Sequence, residues 1–245
     1  MYLNKIFIKN YGKILAGFFF SRFRFAKKYL PEKRFWELVT KNFFVEEEFT
    51  FIQVGANDGT SFDILYDIVK LRKSSGIVIE PLPDFFEQLC NTYQNFPSVI
   101  KVNKAVHSTL RTVNIYRVHP KKQHLAPDWA KGIASLDPNH HKKSNTSSDL
   151  IIPEPVEAAP LMEIVLQDYK KKIVDLLQID VEGFDYEVLK MLDFKTIKPS
   201  IIKYEYVNLC NEDKASSRKF LKQNGYYLFL VGDDMVGVIL GKVIL

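Results

Sequence analysis

The chain has 245 residues, 47% of them hydrophobic and 26% charged. That composition excludes a disordered or fibrous protein and leaves room for one sizeable α/β domain plus an extension. A formal net charge of +5 is too mild to argue for nucleic acid, and no such partner is expected. Cys90 and Cys210 lack metal or redox spacing, which points to a reducing, cytoplasmic compartment.

The positive charge gathers at the start. Residues 1–30 hold seven Lys and Arg, nine aromatics and no acidic residue. The apolar run from Ile14 to Phe20 is seven residues, too short to span a bilayer. Two readings stand side by side: peripheral attachment to the anionic inner membrane face or to a partner protein, and a helix packed over the core. Residues 1–48 read as a helical extension, with Trp36, Leu38 and Val39 closing against a main domain at 49–245.

From Thr50 onward apolar runs alternate with helical patterns, as in parallel βαβ units. The pattern predicts a strand over Thr50–Val54, a helix over about Phe62–Lys73, a strand over Ile77–Glu80 and a helix over Asp84–Tyr93, with Pro83 suited to its first turn. A third strand follows over Val99–Val102. Residues of about 107–158 read as an insertion loop, in which Thr112–Val118 alternates like an edge strand. The segment His119 to Asp149 has little periodicity, and a loop this long is usually functional. The core then resumes with a helix over Pro160–Tyr169, strands over Val174–Asp180 and Ser200–Tyr206, helices over Tyr186–Leu192 and Ala215–Asn224, and a terminal hairpin.

Two of these elements carry a binding signal. The first strand leads into Gly55-Ala56-Asn57-Asp58-Gly59, and the second ends on Glu80. Glycine lets a backbone turn sharply beside a ligand, and a carboxylate at the end of the second strand can accept hydrogen bonds from a ribose diol. Together they point to an adenosine-containing cofactor. Asn57 and Asp58 occupy the middle of the loop, no third glycine follows at the place a dinucleotide loop expects it, and Asp58 suits a cation better than a pyrophosphate. That favours S-adenosylmethionine, which carries a sulfonium and an ammonium, over NAD.

Val54-Gly55-Ala56-Asn57-Asp58-Gly59, Val78-Ile79-Glu80-Pro81-Leu82-Pro83 and Ile179-Asp180-Val181-Glu182-Gly183 resemble, in order and spacing, the signature blocks of FkbM-type S-adenosylmethionine-dependent methyltransferases. The resemblance implies a class I, Rossmann-like, doubly wound sheet of seven strands with an antiparallel end. It implies O-methylation of a sugar, a surface glycan or a small metabolite. Gln53 stands where the family usually has an acidic residue near the methionine amino group, so a contact there would lack charge. The fold resemblance also makes Asn103 and Ala105 cofactor contacts, and Gly132 to Leu136 resembles a short block placed before the family's substrate region.

Ligands of doubly wound sheets bind at the carboxyl ends of the strands. The expected cofactor set is therefore Gln53, Gly55, Ala56, Asn57, Asp58, Glu80, Pro81, Asn103, Ala105 and Asp180. An alcohol acceptor must lose its proton as it is methylated, which calls for a general base or a metal. Asp180, Glu182, Glu205 and His107 are the candidates, and no metal is expected. His119, His124, His140 and His141 read as solvated loop residues. The competing functions are a non-catalytic adaptor on a degenerate methyltransferase fold and an NAD(P)-dependent sugar-modifying enzyme.

Overall fold

The computed structural model describes residues 22–43, 47–61, 64–127, 130, 132–143, 145–169 and 173–245, with backbone alone for 22–30. A helix, α1 (Arg22–Asn42), precedes the sheet. The core elements are β1 (Phe49–Val54), α2 (Leu65–Lys70), β2 (Ser74–Ile79), α3 (Pro83–Thr92) and β3 (Val99–Val102). A second group follows: β4 (Ala105–Val106), β5 (Thr112–Val118), β6 (Ala134–Ser135) and β7 (Ile151–Ala159). The core closes with α4 (Leu161–Asp168), β8 (Leu176–Ile179), α5 (Asp185–Lys190), β9 (Ile201–Glu205), α6 (Asn211–Gln223), β10 (Tyr227–Val231) and β11 (Asp234–Val238).

Seven strands form one sheet in the order β10-β11-β9-β8-β1-β2-β3, with β11 antiparallel to both neighbours. Strands buried on both faces read as continuous apolar runs, and all six residues of β1 and all four of β8 are buried. Alternation splits them between two layers. Ile52, Val54, Ile77 and Ile79 pack with α4 and α5, while Phe49, Phe51 and Val78 pack with α1, α2 and α3. Each such side chain contributes roughly 1.5–3 kcal/mol when fully buried. The chain runs from β1 outward to β3, then returns to lay β8 on the other side of β1. That reversal opens a crevice at the carboxyl ends of β1 and β8, and the site lies there.

Helix α1 packs on this core. Phe35 and Val39 are buried, Trp36 is partly so, and Asn42 exchanges hydrogen bonds with the main chain of Ile244. Residues 1–21, on which most of the attachment reading falls, lie outside the described residues. Among the described residues no helix is long and apolar enough to cross a membrane.

Residues read as a mostly irregular insertion form a second sheet, ordered β4-β7-β5-β6. β5 is not an edge strand: it pairs with β7 along its whole length and with β6 at Tyr116 and Arg117. β7 escaped the sequence reading because Pro153 and Pro155 interrupt its pattern. The two prolines share one parity, and the side of β7 away from β5 is paired only at Ala158 and Ala159, so both rings can face the open edge. Arg117, 1% exposed, anchors this sheet to α3 through both oxygens of Asp84 and also meets Glu154. Apart from β6, the described residues between β5 and β7 include short turns at Pro120–Leu125, His140–Lys142 and Ser148–Leu150.

Candidate active site

A cavity of about 470 Å³ opens at the crevice, within the range of a nucleoside-sized ligand site. Its floor is the loop after β1. Gly55 has φ +78, and a Cβ there would lie 1.8 Å from the Asp180 carbonyl oxygen, so only glycine fits. The N–H groups of Gly55 and Ala56 both donate to the Ile79 carbonyl, which ties the loop to the end of β2. Asn57 takes φ +51, a left-handed backbone that asparagine tolerates. Asp58 accepts from the N–H groups of Thr60 and Ser61; these bonds, with those from the two hydroxyls, outweigh the effect of burial and hold its carboxyl below the ordinary value.

Glu80 ends β2 in the wall of this cavity and is 5% exposed. Its Oε2 accepts from Asn57 N–H and its Oε1 from Leu82 N–H, each at 2.9 Å. Burial outweighs these bonds and pushes its carboxyl up to about 7. Each oxygen keeps a further lone pair, so the group can still accept from hydroxyls of a ligand. Phe85, Ala105, Ile115 and Leu136 supply apolar surface beside it, suited to a flat heterocycle. Asn103 does not line the cavity. Its side chain donates to the carbonyls of Glu80 and Pro81 and so fixes the turn behind the carboxylate.

The opposite end is acidic. Asp180, Glu182 and Glu205 each offer an oxygen, all within 4.8 Å of one another, a grouping that could hold a divalent cation. Asn208 donates one side-chain bond to Glu182 Oε2 at 2.9 Å and another to Glu205 Oε1 at 2.8 Å. Burial, and then the charges of Asp180, Glu182 and Asp185, push the Glu205 carboxyl up to about 10. Glu205 therefore holds a proton more tightly than an ordinary carboxyl, which suits it better to donate a hydrogen bond than to act as a base. Lys203, on the same strand, pairs with Asp234 at 2.9 Å.

The turn that carries Glu182 is unusual for a non-glycine residue, with φ +56 there and +98 at Gly183. Asp185, fully buried, braces it by accepting from Gly183 N–H and Glu205 N–H. Burial and the nearby Asp180 push the Asp185 carboxyl well above the usual range. The second sheet adds Ser135, whose hydroxyl donates to the Glu182 carbonyl at 2.9 Å.

The structure thus gathers Gln53, Gly55, Ala56, Asn57, Asp58, Glu80, Pro81, Ala105, Asp180, Glu182 and Glu205 around one cavity. His107 stands apart, stacked on Phe184, with Nδ1 accepting from Thr109 and Leu110 N–H. His140, read as solvated, is a correction: it is 3% exposed and its Nε2 lies 3.0 Å from Glu182 Oε2. A histidine inside an aperiodic segment gives no sequence signal of burial. Gln178, also missed, faces Gln53 in register across β8 and β1, and both line the cavity. A Tyr-x-x-x-Lys pair of the kind used by NAD(P) enzymes, expected to be absent after the fourth core strand, is present in the sequence as Tyr186 and Lys190. Neither lines the cavity, and Lys190 pairs with Glu187 at 2.6 Å.

The family model described as "Methyltransferase FkbM domain" matches residues 53–228. Among solved structures, the chain is similar to a methyltransferase FkbM from Methylobacillus flagellatus KT, with TM-score 0.50 and 12% identity over 81% of this chain and 45% of that one. Identity this low speaks to the fold alone, and this chain spans under half of that protein. Matches of TM-score 0.44 and 0.42 are a Methanococcus jannaschii fibrillarin pre-rRNA processing protein (12% identity, 86% of this chain, 76% of that) and a precorrin-6y C5,15-methyltransferase from Geobacter metallireducens GS-15 (10% identity, 85% of each chain). No curated protein matches significantly.

Proposed function

The chain belongs to the FkbM methyltransferase family, and from that premise we propose that it moves the methyl group of S-adenosylmethionine to a hydroxyl of a sugar, a glycan or a small metabolite. One observation carries the reading: a single cavity with a ribose-type carboxylate, Glu80, at one end and the carboxylates of Asp180, Glu182 and Glu205 at the other. The residues present fit the cofactor. Gly55 leaves room for close approach, the apolar wall near Phe85 and Ile115 suits adenine, and carboxylates rather than cations surround the loop.

The cofactor would supply a methyl carbon activated by a sulfonium. Glu80 would accept the ribose hydroxyls, while Asn57 and Ala56 shape the loop over which the methionine portion lies. Gln53 offers an uncharged acceptor for its ammonium. Glu182 takes the acceptor's proton, and protonated Glu205 donates to the acceptor or to Glu182. Aligning the acceptor oxygen with the methyl carbon is the larger task, and fixed geometry can supply several kcal/mol toward it.

Lys104 is the only cationic side chain among the described residues that line the cavity, against Asp58, Glu80, Asp180, Glu182 and Asp233. That balance favours a neutral polyol or an amino sugar over an anionic or nucleotide-linked acceptor. Residues 1–30 are proposed to attach the enzyme to an anionic surface or a partner protein, on the strength of their sequence. Calorimetry with S-adenosylmethionine and NAD, followed by transfer of labelled methyl to a panel of glycans, free sugars and nucleotide sugars, tests the proposal. Binding of NAD alone, or no transfer to any hydroxyl of the panel, would overturn it.

A further inference from the structure

The second sheet delivers one buried histidine to the carboxylate cluster. His140 opens the turn His140–Lys142, and its Nε2 reaches Glu182 Oε2 at 3.0 Å. Nδ1 of the ring is buried and has no hydrogen-bond partner among the described residues. A bare acceptor is better tolerated in an interior than a bare donor, so the network assigns the proton to Nε2. His140 then donates to Glu182, as Asn208 does, and Oε2 of Glu182 receives two donors. No hydrogen bond to Oε1 is found among the described residues, and Glu182 lines the cavity.

The same segment grips this turn elsewhere. Ser135 holds the Glu182 carbonyl, and Lys143 Nζ donates to the Asn208 carbonyl at 2.8 Å. A left-handed backbone is strained for a glutamate and persists only where its surroundings hold it, so the aim of Glu182 depends on such outside contacts. We propose that His140 is a positioning residue of the methyl-transfer reaction: it holds Oε2 of Glu182 and leaves Oε1 to receive the acceptor's proton. The inference rests on the reading of Glu182 as the base.

The test uses the full chain, labelled S-adenosylmethionine and the acceptor methylated in the panel above. His140→Phe fills the site without a donor and should lower kcat by about tenfold or more, with acceptor KM and cofactor affinity nearly unchanged. His140→Gln, whose amide can reach Glu182, should recover most of the loss. Glu182→Gln and the double variant with His140→Phe should be equally slow, since one residue acts through the other. An unchanged kcat, no recovery by glutamine, or a double variant slower by the full product overturns the proposal. If His140→Phe does not fold, or if the wild-type protein methylates nothing, nitrogen-labelled histidine spectra decide separately. A protected Nε2–H signal that moves in Glu182→Gln supports the contact, and a freely solvated imidazole rejects it.

Discussion

The N–H of Asn57 donates to Oε2 of Glu80, so the glycine loop after β1 and the end of β2 are one bonded unit. Loss of the carboxylate removes the ribose acceptor and leaves the N–H groups of Asn57 and Leu82 without their partner. Glu80→Ala is expected to weaken S-adenosylmethionine binding by roughly 1.5–3 kcal/mol, the scale of hydrogen bonds to a charged group. Calorimetry on the folded variant measures it, and unchanged affinity would sink the assignment.

The same carboxyl sets a pH dependence. Its value in the folded protein, about 7, lies above its ordinary 4.5, because burial penalises the charged form. The folded state therefore binds the proton more tightly than the unfolded one. Its contribution to stability is complete below 4.5 and is lost as pH rises through 7, by about 3 kcal/mol in all. Ribose hydroxyls prefer the ionised form, so cofactor affinity should move the other way. It should be about tenfold weaker at one pH unit below the midpoint than at its alkaline plateau. Melting curves and calorimetry between pH 5 and 8 would show both trends, and Glu80→Gln should flatten them.

Glu182 and Glu205 touch the same Asn208 amide yet should respond differently to amide substitution. Glu182→Gln removes a base and is expected to lower kcat by about 100-fold or more. Glu205→Gln replaces a group that is already uncharged, with its carboxyl pushed up to about 10, and should keep most of the activity. The opposite ranking in steady-state assays would exchange their roles.

Dialysis against a chelator is expected to leave methyl transfer unchanged. The cluster is already balanced by two donors, Asn208 and His140, and by the proton held on Glu205. Activity that vanishes and returns with magnesium would make Asp180, Glu182 and Glu205 ligands instead.

Removal of residues 1–30 should leave cofactor affinity intact, because it spares Phe35, Leu38 and Val39, which α1 buries in the core. It should abolish salt-sensitive binding to anionic vesicles, where each basic side chain contributes on the order of 1 kcal/mol, screened over about 10 Å. A truncated chain that unfolds would mean that this segment packs on the core.

The core strands and the cofactor loop were legible because their signals are local. Buried parallel strands read as apolar runs, and the Gly55 turn and Glu80 sit at the ends of such runs. Strand bounds moved by a few residues, as with β2, which begins at Ser74 instead of Ile77. What escaped was set by distant contacts. Pro153 and Pro155 disguised a strand whose partner makes it possible. Asp185, Gln178 and His140 acquire their roles only when residues far apart in sequence meet. The raised carboxyl of Glu205 follows from its burial and from three carboxylates converging on it, which no spacing in the sequence displays.

One stretch of the second sheet touches both ends of the cavity. The carbonyl of Gly132 accepts from the Asn57 side chain at 3.3 Å, and three residues later Ser135 holds the Glu182 carbonyl. The two ends therefore share a strut. A ligand that shifts this strut from the cofactor side changes the fit on the acceptor side, and linkage requires the reverse effect to be equal in size. Occupancy at one end then serves as a signal at the other. Gly132 and Ser135, the two ends of the strut, would set how strongly the two occupancies are coupled.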